Sequence, residues 1–273
     1  MRAICFMSDF GLAGDFVGSC KGVIVSISPR SPIVDITHDI PEFSVIQGAE
    51  VLQHATRYMP DGAVYLAVVD PGVGTQRRAV AIATRGGEHL VGPDNGLLTP
   101  AAEALGGIER AVHLTNHRYH IEPVSNTFHG RDIFAPAAAH LASGTGMDEL
   151  GEEIETSTLK RIEIPGAQRT GRELVAEIID IDRYGNVRLS ASMSDLKLDY
   201  GSPLLLKVKG EKSMKVTYVE TFGSAKPGDL ILVPDSHWKL SLAINKGNAA
   251  RALFLGLGER LRLEIPEEDS PSR

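Results

Sequence analysis

Four short apolar runs in the first half of the chain, AICFMS, PIVDIT, AVYLAVVD and RAVAIAT, alternate with stretches of helical spacing. FVGSCKGVIVSIS and FSVIQGAEVLQHATRYM repeat apolar residues three and four apart, whereas each short run has the length and content of a buried strand. Such strand–helix alternation leaves few folds open and predicts a largely parallel α/β sheet. RDIFAPAAAHLASG reads as a further helix with a small-residue buried face, closed by Gly144, with Pro136 at its first turn or at a kink.

The pattern then changes. GEEIETSTLKRIEIPGAQRTGRE is polar and broken by Pro165 and glycines, so it predicts a linker. Beyond it LVAEIIDID, LLLKVKG, MKVTYVE, LILVPD, KLSLAIN and RALFLGL read as short strands between turn residues, the pattern of a small barrel or sandwich. The expectation is an α/β domain over 1–165, a smaller all-β barrel over 166–262 and a disordered tail over 263–273.

Composition bounds the function classes. The 273 residues are 42% hydrophobic and 23% charged with a net charge of −7, which disfavours a broad nucleic-acid surface. The first apolar run is too short for a secretory signal, and no stretch approaches membrane-spanning length. Cys5 and Cys20 form no metal-binding pattern and fit a reducing compartment, so the cytoplasm is expected.

Polar residues collect where strands end, and in open α/β sheets ligands bind beyond those carboxyl ends. Asp9 follows the first run, His38 and Asp39 the second and Asp70 the third, while His129, Arg131 and Asp132 precede a helix. Singly, an aspartate there is more often a cap than a catalyst; several at one sheet edge favour a site. Asp9, Asp15, His38, Asp70, His129 and His140 offer donors for a metal-dependent hydrolase, but no H-x-x-x-H, D-x-D or C-x-x-C spacing supports one. GVGTQR lacks the Gly-Lys-Ser/Thr ending of a phosphate loop, SDFG stands without other kinase motifs, and no G-x-S-x-G is present.

The segments MSDFG, DITHDIP, VVDPGVGTQRR, VGPDNGLL, NTFHGRDIFAPAAAHLA and IDRYGNV, in that order, resemble the S-adenosyl-L-methionine hydroxide adenosyltransferases, a family similar to the fluorinases and chlorinases. The resemblance runs from residue 4 to about residue 257. It implies an α/β domain and a β-barrel domain assembled as a homotrimer, with sites between one subunit's N-terminal domain and the next subunit's C-terminal domain. It also implies hydrolysis of S-adenosylmethionine to adenosine and methionine at ribose C5′, with no cofactor and no metal.

By the same resemblance, Asp70, Arg77 and His129 activate the water, and Asp9 holds the ribose hydroxyls. Asp182, Tyr184 and Asn186 of DRYGN, with Ser236, Ser241 and Ile244, would contact adenine and the methionine group. Alternatives stay open: Arg77 as a purely structural partner of Asp70, Asp9 as a helix cap, Asn186 as a turn residue. The proton acceptor is open between Asp70 and His129. Leu189-Ser190 and Trp238-Lys239-Leu240-Ser241 depart from the family pattern, and Trp238 is expected to cover the barrel. Two other functions compete: a non-catalytic adenosine or S-adenosylmethionine binding protein, and a halide-using synthase. The carboxylate of Asp70 and the small Gly130 argue for hydroxide over halide.

Overall fold

A computed structural model of the chain describes residues 1–208 and 212–265. These fall into two compact units, Met1–Glu163 and Ile164–Arg273.

The first unit runs β1 (Ile4–Ser8), α1 (Phe16–Ile27), β2 (Ile33–Thr37), α2 (Val45–Ala55), β3 (Val64–Val68), β4 (Ala79–Thr84), β5 (His89–Pro93), α3 (Thr99–Ala104), β6 (Ile108–His113), α4 (Ala135–Ser143) and β7 (Glu152–Ile154). Its sheet has the order β2-β1-β3-β5-β4-β6-β7. The β2-β1-β3-β5 half is parallel, and the pairings of β4, β6 and β7 are antiparallel. The sheet is therefore mixed. RAVAIAT returns through a tight turn at Arg85–Gly87, too short for the crossover that a parallel neighbour requires.

Period-two alternation puts Ile4, Phe6, Val64 and Leu66 on one face with α1 and α4, and Cys5, Met7, Tyr65 and Ala67 on the other with α2 and α3. Burial on both faces explains why β1 and β3 read as continuous apolar runs. PIVDIT instead forms the partly exposed edge strand β2. The expected linker gives its first residues to β7. Gly144 closes α4 at φ 103°, in the left-handed conformation that glycine adopts without strain, and Pro136 sits in that helix's first turn.

The second unit comprises β8 (Gln168–Thr170), β9 (Glu173–Ile181), β10 (Val187–Ser192), β11 (Pro203–Val208), β12 (Lys212–Tyr218), β13 (Leu230–Pro234), β14 (Lys239–Ile244) and β15 (Arg260–Glu264). Pairing runs β10-β14-β13-β12-β11-β15-β9 and returns from β9 to β10, so seven strands close a barrel and β8 extends β9. Alternate residues, including Leu174, Ala176, Ile178, Val187, Leu189, Leu204, Leu206, Leu261 and Leu263, fill its interior.

RALFLGL is not a strand. Asn248 caps a short helix, Ala249–Leu253, by accepting the Arg251 N–H at 2.7 Å, and Phe254 ends it at φ 54°. The strand lies further on, in β15, whose alternating arginines concealed it. It runs to Glu264, past residue 263 where a disordered tail was expected to begin; residues 266–273 lie outside the described residues. Among the described residues, no helix is long and apolar enough to cross a membrane.

Candidate active site

The carboxyl ends of β1 and β3 open onto a cavity of about 340 Å³ lined by Asp9, Asp70, His129 and an aromatic wall of Phe10, Phe16, Phe43 and Phe128. Asp70 stands two residues beyond β3, where Asn95 Nδ2 donates to the Val69 carbonyl at 2.8 Å and pins the strand end. The Pro-Gly-Val-Gly segment then turns the chain back. Gly74 lies at φ 73°, and a Cβ there would come within 2.4 Å of the Asn126 carbonyl oxygen. Only glycine lets this turn pack so closely on the loop that carries His129.

Seven residues after Asp70, Arg77 returns to meet it. Its Nε donates to Asp70 Oδ1 at 3.1 Å and its Nη2 to Oδ2 at 2.5 Å, with both side chains only 7% exposed. The same Nη2 lies 3.1 Å from His129 Nδ1, and the guanidinium stands 5.3 Å from the Phe134 ring centroid. Asp70, Arg77 and His129 are thus brought together. Guanidinium can only donate, so Nδ1 accepts and the neutral ring carries its hydrogen on Nε2. Burial, then the Arg77 charge, holds the His129 pKa below the ordinary imidazole value, against the pull of Asp70 and Asp132.

His129 stands at the N-terminus of a π-helical turn, Gly130–Phe134, that runs into α4. Such turns recur at functional sites. Asp132 within it is fully buried; it accepts Arg131 Nε at 2.7 Å and the Ser125 N–H at 2.8 Å, bracing the loop before His129. Arg78 beside Arg77 serves the frame instead, clasping buried Asp94 from Nε at 2.8 Å and Nη2 at 2.6 Å. Asp94, Asn95 and Asp132 each lie inside a segment recognisable in the sequence, but no spacing there signals that they brace the site.

Asp9 is not a helix cap. Its Oδ2 accepts the Phe43 N–H at 3.1 Å. Burial raises its pKa, helped by the neighbouring Asp70 and Glu42 carboxylates. Phe43 itself sits at φ 63° on the cavity rim, 65% exposed. The other residues raised as metal ligands are placed apart. His38 bridges Ser8 Oγ at 2.8 Å and Asp35 Oδ1 at 3.2 Å, Asp15 accepts from Ser19 Oγ at 3.0 Å, and His140 packs against the Tyr119 ring.

In the barrel unit, a cavity of about 370 Å³ is lined by Asp182, Tyr184, Asn186, Ser236 and Ser241. Ile244 lines another, of about 480 Å³, that shares Tyr184 and Asn186. Asp182 holds its own turn: Oδ1 accepts the N–H groups of Tyr184 at 2.8 Å and Asn186 at 2.9 Å, and Oδ2 accepts Asn186 Nδ2 at 2.9 Å. Missed by the sequence reading is Arg188 in the cavity wall, paired with Asp180 at 2.9 Å and with Asp235. Leu189 fills the barrel core and Ser190 Oγ accepts the Glu177 N–H at 2.9 Å, so these departures face away from the cavity. Trp238 sits at φ 60° in the turn before β14, 60% exposed.

Each cavity has three carboxylates in its wall: Asp9, Glu42 and Asp70 in the first, where Arg77 is paired to Asp70, and Asp180, Asp182 and Asp235 in the second, where Arg188 lines the wall with them. Both suit a cationic ligand.

Residues 4–151 match the model of the SAM hydroxide adenosyltransferase N-terminal domain, and residues 176–262 match that of the C-terminal domain. The chain is 46% identical over 260 residues to an (R)-S-adenosyl-L-methionine hydrolase of Salinispora tropica, covering 95% of this chain and 97% of that one. A fluorinase of Actinoplanes sp. is 31% identical over 283 residues, covering 93% and 95% respectively. The crystal structure of an uncharacterized conserved protein from Thermotoga maritima matches with a TM-score of 0.88 at 33% identity, covering 95% of this chain and 99% of that one. The chain belongs to the SAM hydroxide adenosyltransferase family.

Proposed function

We propose that this protein is a hydrolase that converts S-adenosyl-L-methionine and water into adenosine and L-methionine. The observation that carries the reading is the buried Asp70–Arg77 pair joined to half-buried His129 at the wall of an acidic, aromatic-lined cavity. Family membership, with a hydrolase at 46% identity, supports the same reaction. Water attacks ribose C5′ as the C5′–S bond breaks, the sulfonium leaves as a neutral thioether, and one proton is released. No general acid is needed. The task is to hold one water in line and to shield it from the bulk.

With Nδ1 occupied by Arg77, neutral His129 offers Nε2–H as a donor to that water. The remaining acceptor in the cluster is the Asp70 carboxylate, which we assign as the group that takes the proton. Arg77 then has a double role, fixing the carboxylate and the tautomer and stabilising developing hydroxide charge. Asp9 is assigned to the ribose hydroxyls, and Asp182, Tyr184, Asn186, Ser236, Ser241 and Ile244 to adenine and the methionine group. The acidic walls favour the sulfonium and ammonium charges of this substrate.

Halide chemistry is the reading that the fluorinase relative keeps in view. Two features weigh against it. Asp70 places negative charge where a halide would sit, and a Cβ at Gly130 would come within 2.9 Å of the Phe10 ring, leaving no room for a halide-binding serine. A metal ion is not required, because the sulfonium is already a competent leaving group. A homotrimer pairing the first unit of one subunit with the barrel of the next completes the proposal, supported by the division of the assigned contacts between cavities in separate units. A cytoplasmic location is supported by two free, buried cysteines.

Product analysis tests the reading: S-adenosylmethionine incubated in chloride, in fluoride and without halide should give equal amounts of adenosine and methionine each time. A halogenated nucleoside as the main product would establish the synthase instead, and binding without turnover the non-catalytic protein.

A further inference from the structure

Away from both cavities, one group of side chains has the make-up of a metal site. His117, His120 and Glu122 lie in the loop after β6, and one donor atom from each falls within 4.8 Å of the others. His117 Nδ1 stands 2.8 Å from Glu122 Oε1, and the two imidazole centroids are 5.1 Å apart. His120 is the informative member. Both of its ring nitrogens are shielded from solvent, and apart from the pull of the Leu114 backbone neither has a partner. A shielded polar group without a partner is unfavourable, and a ligated ion would offset that cost. The backbone beneath is fixed, since Asn116 accepts the Arg118 N–H at 3.2 Å and donates to the Glu149 carbonyl at 2.6 Å, while Glu122 Oε2 accepts the Val124 N–H at 3.3 Å.

We propose that His117, His120 and Glu122 bind a divalent transition-metal ion of the Zn²⁺ class, as a clip on the loop that leads to His129. Two imidazoles and a carboxylate select such ions over Mg²⁺ and Ca²⁺, which prefer all-oxygen shells. Ligands about 2.0–2.1 Å from a tetrahedral ion stand about 3.4 Å apart. His117 and Glu122, with side chains 76% and 54% exposed, have room to close the difference onto the half-buried His120, exchanging their mutual 2.8 Å contact for the ion. The following segment is tied to the π-helical turn, because the Ile121 N–H donates to the Asp132 carbonyl at 2.9 Å and the Ser125 N–H to its carboxylate at 2.8 Å. The ion takes no part in bond-making; it restrains the loop.

Titration calorimetry of the metal-stripped full-length protein with Zn²⁺, with Mg²⁺ as control, tests this. One Zn²⁺ per chain is expected, with affinity lowered about tenfold or more in His117→Ala and in Glu122→Gln, and no binding of Mg²⁺. Zn²⁺ should also slow amide exchange across residues 117–129. His117→Ala removes an exposed side chain, so it carries the test even where His120→Ala fails to fold. Unchanged Zn²⁺ affinity in both His117→Ala and Glu122→Gln, or binding without slower exchange in that loop, would overturn the assignment.

Discussion

The two acidic cavities hold their polar groups in different ways. In the first unit, Asp70 is fixed by a buried bidentate arginine that also reaches His129, and both paired side chains are nearly dry. In the barrel, Asp182 is fixed by the backbone of its own turn, and Tyr184 beside it is 61% exposed. A preorganised, water-poor cluster is suited to stabilising charge as it develops. An exposed turn is suited to gripping the parts of a substrate that do not react. The difference predicts that mutations in the first cavity act mainly on turnover, and mutations in the second mainly on binding.

The largest effect should follow from opening the ion pair. Asp70→Ala or Arg77→Ala should lower kcat by about 10²–10⁴ while adenosine affinity changes far less. Each should also destabilise the protein by about 3–5 kcal/mol, because the remaining charge is left buried and unpaired. Steady-state kinetics with calorimetric adenosine binding and denaturant melts would show it; near-normal kcat in either variant would remove water activation from this cluster. His129→Ala, which leaves the ion pair intact, should lose turnover with a smaller stability cost.

Mixing subunits sharpens the comparison. An Asp70→Ala chain and an Asn186→Ala chain, each weak alone, should regain part of the activity when co-assembled, since in the proposed trimer one interface of a mixed assembly joins two unmutated cavities. No regain, with mixed trimers confirmed by mass, would place both cavities of a site in one chain.

Asn186→Ala alone should raise KM by about tenfold, the worth of a hydrogen bond or two, with kcat little changed. A fall in kcat matching that of Asp70→Ala would erase the proposed distinction.

Acidity tests the state of His129. Its folded pKa is depressed, so the stability gained from the neutral ring is complete above the unfolded value of about 6.5 and is lost as pH falls through the folded value. The loss of kcat on the acid side that is due to His129, isolated as the part absent in His129→Gln, should therefore fall below pH 6.5. Finding it above that pH would mean a ring stabilised in its charged form. The smallest effect is none: the ion proposed at His117, His120 and Glu122 takes no part in bond-making, so exhaustive chelation should leave the hydrolysis rate unchanged, and a rate that collapsed and returned with a divalent ion in His117→Ala as well as in the wild type would favour metal chemistry.

The parts of this picture carried by local pattern were legible in the sequence. β1 and β3 are buried on both faces, so unbroken apolar runs announced them, and the acids that end them fall at one sheet edge. β15 hid because Arg260 and Arg262 alternate with its buried leucines, and RALFLGL misled because a short apolar run does not distinguish strand from helix. The partners of Arg77 and Arg78 come from chain neighbours at different distances, Asp70 and Asp94, and adjacency gives no sign of which arginine reaches His129 and which clasps the frame. The positioning of Asp132 and the orphaned nitrogens of His120 are tertiary facts that no spacing encodes.

Attack by water at C5′ is the claim on which the rest depends, and heavy water tests it most directly. S-adenosylmethionine hydrolysed by the wild-type protein in ¹⁸O-labelled water should yield adenosine carrying one ¹⁸O at the 5′-hydroxyl and unlabelled methionine, with label uptake suppressed by Arg77→Ala in step with turnover. Adenosine formed without ¹⁸O would contradict the account.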